Sequence, residues 1–336
     1  MRASRLAPAL LCLLAAALLA GCGNDSGPDS TSVSFEAAPS RPAPPESRFP
    51  SPDGRTLRQL LKVADGPAES VIAPAAVVFY PGRNRYPFGV FDRDEGQITD
   101  AEVALYYAKV PQPKPGAKSK PGNRGMVAKA QGKALDQPAV GPFPASIESL
   151  APGPGSQVQP LAGDREIASV VYSAQLEFPG EGEWLIAAII KEDGELRGTL
   201  LPAAVVGEFK RIPKPGQKAP VIHTPTKQDY AEAIGKEPIV LLFATPEFCQ
   251  SRVCGPVVDV AERAEKEYGD KAAFIHMEIY NGNDPENRVR PQVRAFRLPS
   301  QPYLFTIDRD GVVRDAVEGP FGLKLMRQAV EKAISR

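Results

Sequence analysis

A chain of 336 residues that is 43% apolar and 24% charged is long enough to bury the cores of two ordinary domains. Its 40 basic and 40 acidic residues cancel, so no overall positive field attracts nucleic acid, and the sequence contains nothing that resembles a DNA-binding motif. Its 36 prolines are concentrated in a few stretches, which predicts linkers and long loops rather than one continuous helical protein.

The first 22 residues combine a basic start, an apolar run and a cysteine. Arg2 and Arg5 precede the apolar segment 6–20, which falls short of the roughly 20 residues that a membrane-spanning helix needs. The run ends in Leu-Ala-Gly-Cys, which resembles the lipobox of bacterial lipoprotein signals. The resemblance implies that residues 1–21 are a signal peptide and that Cys22 carries the lipid. The alternative is an ordinary cleaved signal in which Cys22 is incidental.

This signal decides which thiols remain in the mature protein. Of the four cysteines, Cys12 leaves with the signal and Cys22 is lipidated, so Cys249 and Cys254 are each other's only intramolecular partner. Losing Arg2 and Arg5 changes the formal net charge from 0 to −2, because residues 1–21 contain no acid. The predicted location is the extracytoplasmic face of the cell membrane, where disulfides persist. The pair is then either a redox couple or a permanent staple.

Residues 22–53 are predicted to form a disordered tether. They contain almost no large apolar side chain, so the segment cannot bury enough surface to offset its chain entropy. Prolines keep such a segment extended, and here they are Pro28, Pro39, Pro42, Pro44, Pro45, Pro50 and Pro52.

Residues 54–210 have the pattern of short strands separated by turns. Apolar residues alternate with period two in Val103, Leu105 and Tyr107, as a half-buried strand requires. Pro-Gly and Asp-Gly pairs supply the turns. The predicted strands are Ala75–Tyr80, Tyr86–Asp92, Ala101–Lys109, Ile167–Phe178, Glu183–Lys191 and Gly198–Val206. Together they predict an all-β sandwich.

The segment 178–184, which ends at Trp184, resembles the glycine, tryptophan and strand segment of extracytoplasmic Ig-like modules. The resemblance implies an Ig-like sandwich with Trp184 as a core residue rather than a ligand contact. Between Pro111 and Gly163 lies an insertion rich in proline, glycine, lysine and alanine. It is predicted to be a solvated loop, and the alternative is contact with anionic lipid or wall polymer.

A proline-rich linker, 211–220, separates this domain from residues 221–336. Thr226 and Asp229 resemble a capping box that opens a short helix through Ile234. The remaining predicted elements are a doubly buried strand at Pro238–Phe243, an amphipathic helix to Tyr268, a strand at Ala272–Tyr280, a strand after Pro302, a turn at Asp310-Gly311, a further strand, and a helix at Leu323–Ile334.

This order of elements resembles the thioredoxin fold. Phe243 and the pair Phe248-Cys249 stand where thioredoxins have a strand phenylalanine and an aromatic residue before the first cysteine. Gln301-Pro302 matches the cis-proline loop of that family. A group of actinobacterial-type lipoproteins with a thioredoxin-like C-terminal domain carries the same ATPxFCxSxxCGPV string. The resemblance implies thiol-disulfide exchange with protein thiols and disulfides, in which Pro302 lies against the reacting sulfurs.

The cysteine spacing departs from the C-x-x-C of thioredoxins. Five residues of helix turn through about 500°, so Cys249 and Cys254 cannot both lie in one regular helix and still pair. The simplest arrangement puts Cys249 on the loop and starts the helix near Gly255-Pro256, with Cys254 just ahead of its positive end. Two registers fit. In the one we favour, Cys249 attacks and Cys254 resolves; in the other, Val257 replaces the second cysteine, Cys254 attacks and Cys249 resolves from the other side.

Other residues bear on the chemistry. Leu242 occupies the position where many thioredoxins have a buried acid, for which Glu247 or Glu278 is a possible substitute. Copper binding of the Sco type needs a histidine, but His276 is predicted on a strand and His223 in the linker. Thr245 and Pro246 ahead of Cys249 suggest peroxidase chemistry, for which no arginine partner is evident.

The leading interpretation is a membrane-anchored extracytoplasmic thiol-disulfide oxidoreductase with Cys249 and Cys254 as its couple and Pro302 in the substrate groove. It needs no cofactor or metal. The alternative is a non-enzymatic lipoprotein whose Ig-like and thioredoxin-like domains bind a partner, with Cys249–Cys254 as a structural disulfide.

Overall fold

The computed structural model of the chain describes residues 38–112, 131–151, 168–223, 230–248 and 253–335. The predicted signal peptide, Cys22, Cys249 and the capping box of Thr226 and Asp229 lie outside these ranges. Within these ranges, no helix is both long and apolar enough to cross a membrane.

The first part of the chain folds into two stacked sheets. After a 3-10 turn at Glu46–Arg48, its elements are α1 (Leu57–Leu61), β1 (Gly66–Pro67), β2 (Val71–Pro74), β3 (Gly82–Phe91), β4 (Glu102–Lys109), β5 (Val140–Pro144), β6 (Ser146–Ser149), β7 (Val170–Phe178), β8 (Gly182–Glu192) and β9 (Glu195–Val206). One sheet has the order β2-β3-β7-β6 and the other β1-β9-β8-β4-β5. Only β1 and β9 pair in parallel among these strands. The domain is all-β, as its alternating patterns predicted.

The apolar faces of the two sheets meet in one core. Phe88 and Tyr172 of one sheet stack with their ring centroids 5.4 Å apart. Tyr107 and Trp184 of the other sheet pack edge to face at 5.2 Å. Trp184 is only 4% exposed, and its indole N–H donates to the carbonyl of Gly180 at 3.2 Å. It is therefore the core residue that the sequence predicted.

The strand predicted over Ala75–Tyr80 is wrong. β2 ends at Pro74, and within the predicted range only Phe79 forms an isolated bridge, to Val206. The physical reason is that the N–H groups of Val77 and Val78 donate to the carboxylate of Glu318 instead of to a neighbouring strand.

The solvated loop predicted between Pro111 and Gly163 is wrong for β5 and β6. β5 pairs with β4 and β6 pairs with β7, since Phe143 and Ile147 pack into the sandwich core. Residues 113–130, which hold most of the lysines of this insertion, lie outside the described ranges. α1 was not predicted either. It is capped by Thr56 and Gln59 in a capping box, and its Leu57 and Leu60 are fully buried.

The second part of the chain contains a four-stranded mixed sheet. Its elements are α2 (Tyr230–Ala233), β10 (Ile239–Phe243), α3 (Cys254–Tyr268), β11 (Ala273–Met277), a 3-10 turn at Asn281–Asn283, α4 (Pro291–Phe296), β12 (Tyr303–Ile307), β13 (Val313–Glu318) and α5 (Leu323–Ile334). The strand order is β11-β10-β12-β13, with β10 parallel to β11 and antiparallel to β12. This parallel pair followed by an antiparallel hairpin is the topology of the thioredoxin fold. The short helix α4 was not predicted.

Helices cover both faces of this sheet. Tyr230 of α2 and Phe296 of α4 pack on one face with Phe243 and Phe305. α3 and α5 cover the other face, where Leu242 lies in the same cluster as Cys254. All five residues of β10 are buried, which explains why its sequence is a continuous apolar run.

The two sheet systems belong to one compact unit, 34–336, and contact each other through charged and polar groups. Arg85 of β3 donates to the carbonyls of Glu318 and Pro320. Burial lowers the pKa of Arg85 to about 10. Glu148 of β6 accepts the N–H of Leu325 at 3.2 Å, near the start of α5. The sandwich therefore docks against β13 and the helix that follows it.

Candidate functional site

The candidate site begins where β10 ends. Ala244 and Thr245 follow the strand and are completely buried. The ring nitrogen Nε2 of His276 lies 3.0 Å from the carbonyl oxygen of Ala244, so the chain is still held against β11 at this point. Two residues beyond Pro246, the ring of Phe248 meets that of Tyr280 edge on, with centroids 6.1 Å apart. Cys249, which comes next, lies outside the described residues.

The chain is described again from Val253, and α3 begins with Cys254. The helix therefore starts one residue earlier than the predicted Gly255-Pro256, because the first helical hydrogen bond runs from the N–H of Val257 to the carbonyl of Val253 at 3.1 Å. Pro256 does not interrupt it, since the first N–H groups of a helix have no intrahelical acceptor. Val253 provides no side-chain cap, and the described first turn of the helix contains no acidic residue that would offset its positive end.

Cys254 is 0% exposed and is disulfide-bonded. The other half of the bond lies outside the described residues, as do all the other cysteines of the chain. Around Cys254 the cluster is apolar and includes Leu242, Val257 and Phe321. The sulfur is thus shielded from water on the side of the sheet.

Pro302 is fixed beside the end of β10. The peptide bond between Gln301 and Pro302 is cis. The side-chain oxygen of Gln301 accepts the N–H of Thr245 at 2.8 Å, and the carbonyl of Pro302 accepts the N–H of Gly319 at 2.9 Å. The Pro302 loop is therefore tied both to the corner that precedes Cys249 and to the end of β13. Sequence reasoning identified Pro302 but missed the Gln301 bond, because Gln301 and Thr245 are 56 residues apart.

Leu242, at the position where many thioredoxins have a buried acid, is 1% exposed and apolar. Glu247 is exposed and accepts a hydrogen bond from Asn283 at 3.1 Å. The Oε1 of Glu278 lies 4.0 Å from Nε2 of His276, and its Oε2 is buried with no hydrogen-bond partner among the described residues. His276 pairs with Leu242 in the parallel ladder, so both side chains lie on the face that α3 covers.

Glu318, at the end of β13, joins the sandwich to the Pro302 loop. Its carboxylate accepts the N–H groups of Val77 at 3.0 Å and Val78 at 2.8 Å, and the hydroxyl of Ser300. Burial raises the pKa of Glu318, and these hydrogen bonds oppose part of that rise. Nothing in the sequence marks this carboxylate, since Val77 lies 241 residues away along the chain.

No group of three metal-binding side chains occurs in the described parts of the chain. His276 lies on β11, as predicted, and His223 lies outside any helix or strand, three residues past the predicted linker. Thr245 is fully buried, and within the described ranges its Oγ1 has no hydrogen-bond partner. The described residues thus include a disulfide-bonded cysteine at the start of a helix and a cis-proline loop that is tied to the end of β10.

No family model matches the chain, and none of the curated proteins searched matches it. A thioredoxin family thiol:disulfide interchange protein from Chlorobium tepidum is 17% identical over 38% of this chain and 99% of its own, with a TM-score of 0.28. A thiol-disulfide isomerase from Corynebacterium glutamicum is 12% identical over 36% of this chain and 97% of its own, with a TM-score of 0.30. Matches this weak carry no argument about function. The thioredoxin-like fold rests on the strand order given above.

Proposed function

We propose that the protein is a thioredoxin-like thiol-disulfide oxidoreductase, held by a lipid on Cys22 at the extracytoplasmic face of the membrane. Cys249 and Cys254 are its redox couple, and Pro302 shapes the groove for protein thiols and disulfides. The observation that carries the proposal is the position of Cys254. It is disulfide-bonded at the first residue of α3, next to a corner that Gln301 ties to the Pro302 loop.

The couple is assigned by elimination and by burial. Once Cys12 is removed with the signal and Cys22 is lipidated, Cys249 is the remaining partner for Cys254. The complete burial of Cys254 supports the register in which Cys249 exchanges with substrate and Cys254 resolves, because a sulfur that water cannot reach is also closed to a protein substrate.

In the disulfide state, a substrate thiolate attacks the sulfur of Cys249 and the Cys249–Cys254 bond breaks, which leaves Cys254 as a thiolate at the positive end of α3. A second substrate thiolate then attacks the substrate's own sulfur in the mixed disulfide, and the bond from that sulfur to Cys249 breaks. The substrate disulfide forms, Cys249 leaves as a thiolate, and two electrons have passed from the substrate dithiol to the protein. The reverse sequence reduces a substrate disulfide.

Proton transfer in this site is assigned to Glu278 together with His276. The unpartnered Oε2 of Glu278 and the position of His276 on the face of Leu242 support this assignment. Glu247 is less suited, because it is exposed and bonded to Asn283.

We further infer that the sandwich is immunoglobulin-like. Its orders β2-β3-β7-β6 and β9-β8-β4-β5 correspond to strands A-B-E-D and G-F-C-C′ of that fold. The contacts of Glu318 with Val77 and Val78 support a role for this domain in holding the Pro302 loop.

The redox proposal is tested by equilibrating the purified protein with graded glutathione and dithiothreitol buffers and counting alkylated thiols by mass. We expect the pair to open and close reversibly within the glutathione range and the protein to reduce insulin. Cys254→Ser should trap a mixed disulfide on Cys249, whereas Cys249→Ser should trap none. The opposite trapping pattern would assign the attack to Cys254.

The second candidate function is a binding lipoprotein in which the same disulfide is structural. The apolar cluster of Leu242, Val257 and Phe321 around Cys254 favours this candidate, since it shields the sulfur without an adjacent acid. If the disulfide stays closed until strong reductant is added and the protein does not reduce insulin, the binding function is supported and the enzymatic function is rejected.

A further inference from the structure

A cavity of about 700 Å³ lies between the sandwich and β13, the strand at the end of the second sheet. One wall carries Arg83 and Arg85 of β3 and Gln175 of β7, and the other carries residues 315–318 of β13 and Lys332 of α5. Every residue that lines the cavity lies within the described ranges. Its size is that of a small-molecule pocket, and such pockets are common where two domains meet.

The two arginines of this cavity project from the same face of β3, because side chains two residues apart in a strand point the same way. Arg85 is half-buried and donates to the main-chain carbonyls of Glu318 and Pro320. Arg83 is exposed, and its Nε donates to the side-chain oxygen of Gln175 at 3.4 Å. Among the described residues, neither guanidinium group forms an ion pair with a carboxylate.

The charge of Arg85 is only partly compensated by the protein. Burial lowers the pKa of Arg85 to about 10, and the charge of Glu148 opposes this fall only in part. The carboxylate of Glu148 is itself engaged by the N–H of Leu325. Gln175, directly opposite Arg85 in the ladder between β3 and β7, is neutral. Since a buried charge without a close partner is costly, an anion in the cavity would stabilise the folded protein.

The acids that line the cavity are already engaged. Nζ of Lys332 lies 2.5 Å from the carboxylate of Asp315, so these two charges offset each other. The carboxylate of Glu318 is held by the three donors described above. Glu177 lies opposite Arg83 in the ladder but does not line the cavity. The lining therefore presents two guanidinium groups without a carboxylate partner and no carboxylate that is free to repel an anion.

This arrangement favours one doubly charged group on the ligand. Guanidinium groups bind phosphate and carboxylate oxygens in bidentate pairs. The Cα atoms of Arg83 and Arg85 are about 7 Å apart along the strand, so both side chains can reach a single group. A phosphate monoester carries close to two negative charges on one group at neutral pH. The cavity is also much larger than an inorganic ion, and Val78, Tyr80 and Tyr303 give its wall an apolar part.

We propose that this cavity binds an organic phosphate monoester, with the phosphate group held by Arg83 and Arg85 and the apolar body of the ligand placed against Tyr80 and Tyr303. The inference goes beyond the proposed function, because no step of it involves a thiol. A bound ligand bridges β3 and β13 and so connects the sandwich to the thioredoxin-like domain.

The test is isothermal titration calorimetry of the purified protein with phenyl phosphate, with benzoate as the singly charged comparison and benzamide as the neutral one. We expect phenyl phosphate to bind at least about tenfold more tightly than benzoate, because each charge-assisted contact contributes about that factor, and benzamide not to bind measurably. Arg83→Gln should weaken the binding of phenyl phosphate about tenfold. Arg309→Gln is the matched control, since Arg309 is exposed and does not line the cavity.

Arg85→Gln should abolish binding, and circular dichroism verifies that this variant is folded, because Arg85 also contacts the main chain after β13. Arg83→Gln removes only the bond to Gln175, so it tests the site without disturbing that contact. Phenyl phosphate that does not bind the unchanged protein, or binds no more tightly than benzoate, would overturn the proposal. An unchanged affinity in Arg83→Gln, or an equal loss in Arg309→Gln, would overturn it as well. The result does not depend on whether the protein reduces insulin.

Discussion

Gly319→Ala tests how tightly the sandwich packs against the thioredoxin-like domain. Gly319 follows β13 with φ +78°, and a Cβ added to it would lie 2.3 Å from the carbonyl oxygen of Ala75 and 2.9 Å from Cγ of Pro87. Real Cβ atoms essentially never come within 3.0 Å of such neighbours. The N–H of Ala75 donates a hydrogen bond to the carbonyl of Pro87, so the carbonyl of Ala75 cannot move away without disturbing the packing of the segment 71–78 on β3.

The expected cost has two parts. The left-handed conformation at Gly319 costs an alanine about 1 to 2 kcal/mol, and forcing extra volume into a packed contact costs about 1 to 3 kcal/mol more. Gly319→Ala should therefore lower the free energy of unfolding by about 2 to 5 kcal/mol. Gly235→Ala is the matched control: its φ is +79° and an added Cβ has nothing within 4 Å, so only the conformational part applies.

The assay is urea unfolding of the purified protein, followed by circular dichroism and by the fluorescence of Trp184, the only tryptophan. Trp184 lies in the sandwich core, so its signal reports on that domain separately from the overall helix content. Equal losses of stability in Gly319→Ala and Gly235→Ala would refute the close approach of Ala75. The contact between the sandwich and the segment after β13 would then be looser than the structure shows.

Two further predictions concern Asp259 in α3 and the proposed lipid anchor at Cys22. Burial, reinforced by Glu262, raises the pKa of Asp259 in α3 to about 6, so stability is lost as the pH rises from about 4 to about 6, where the unfolded chain ionises before the folded one. Asp259→Asn should therefore add about 1 kcal/mol of stability near pH 8, after allowance for partial exposure, and almost none near pH 4; an equal gain at both values in urea titrations would contradict the burial argument. Cys22→Ser should lose lipid labelling and leave the membrane fraction, and a variant that remains bound and is processed normally would show that the lipobox assignment is wrong.

The sequence predicted those elements whose pattern is local. α5 was predicted at Leu323–Ile334 and has those bounds, because apolar residues at helical spacing identify a helix by themselves. β10 was predicted as a doubly buried strand for a similar reason, since its five residues are all apolar. The position of Pro302 came from a motif rather than from periodicity.

Local patterns gave wrong predictions where the hydrogen-bonding partners of a segment lie far away in the sequence. Val77 and Val78 lie in an apolar run that looks like a strand, but their N–H groups are taken by Glu318, which is more than 200 residues away. β5 and β6 are short, β5 is rich in proline and glycine, and both are surrounded by loop-like sequence, so only their pairing with β4 and β7 reveals them. Residues 71–78, which Glu318 connects to the Pro302 loop, could not be placed there from local patterns.

Leu242 lies in the same apolar cluster as Cys254, at the position where many thioredoxins have a buried acid. With no acid there, the resolving sulfur depends on the proposed Glu278 and His276 for proton transfer. Restoring an acid by Leu242→Asp should therefore accelerate exchange with oxidised glutathione in a folded variant, as circular dichroism would verify. An unchanged exchange rate would show that the residue at position 242 does not limit proton transfer.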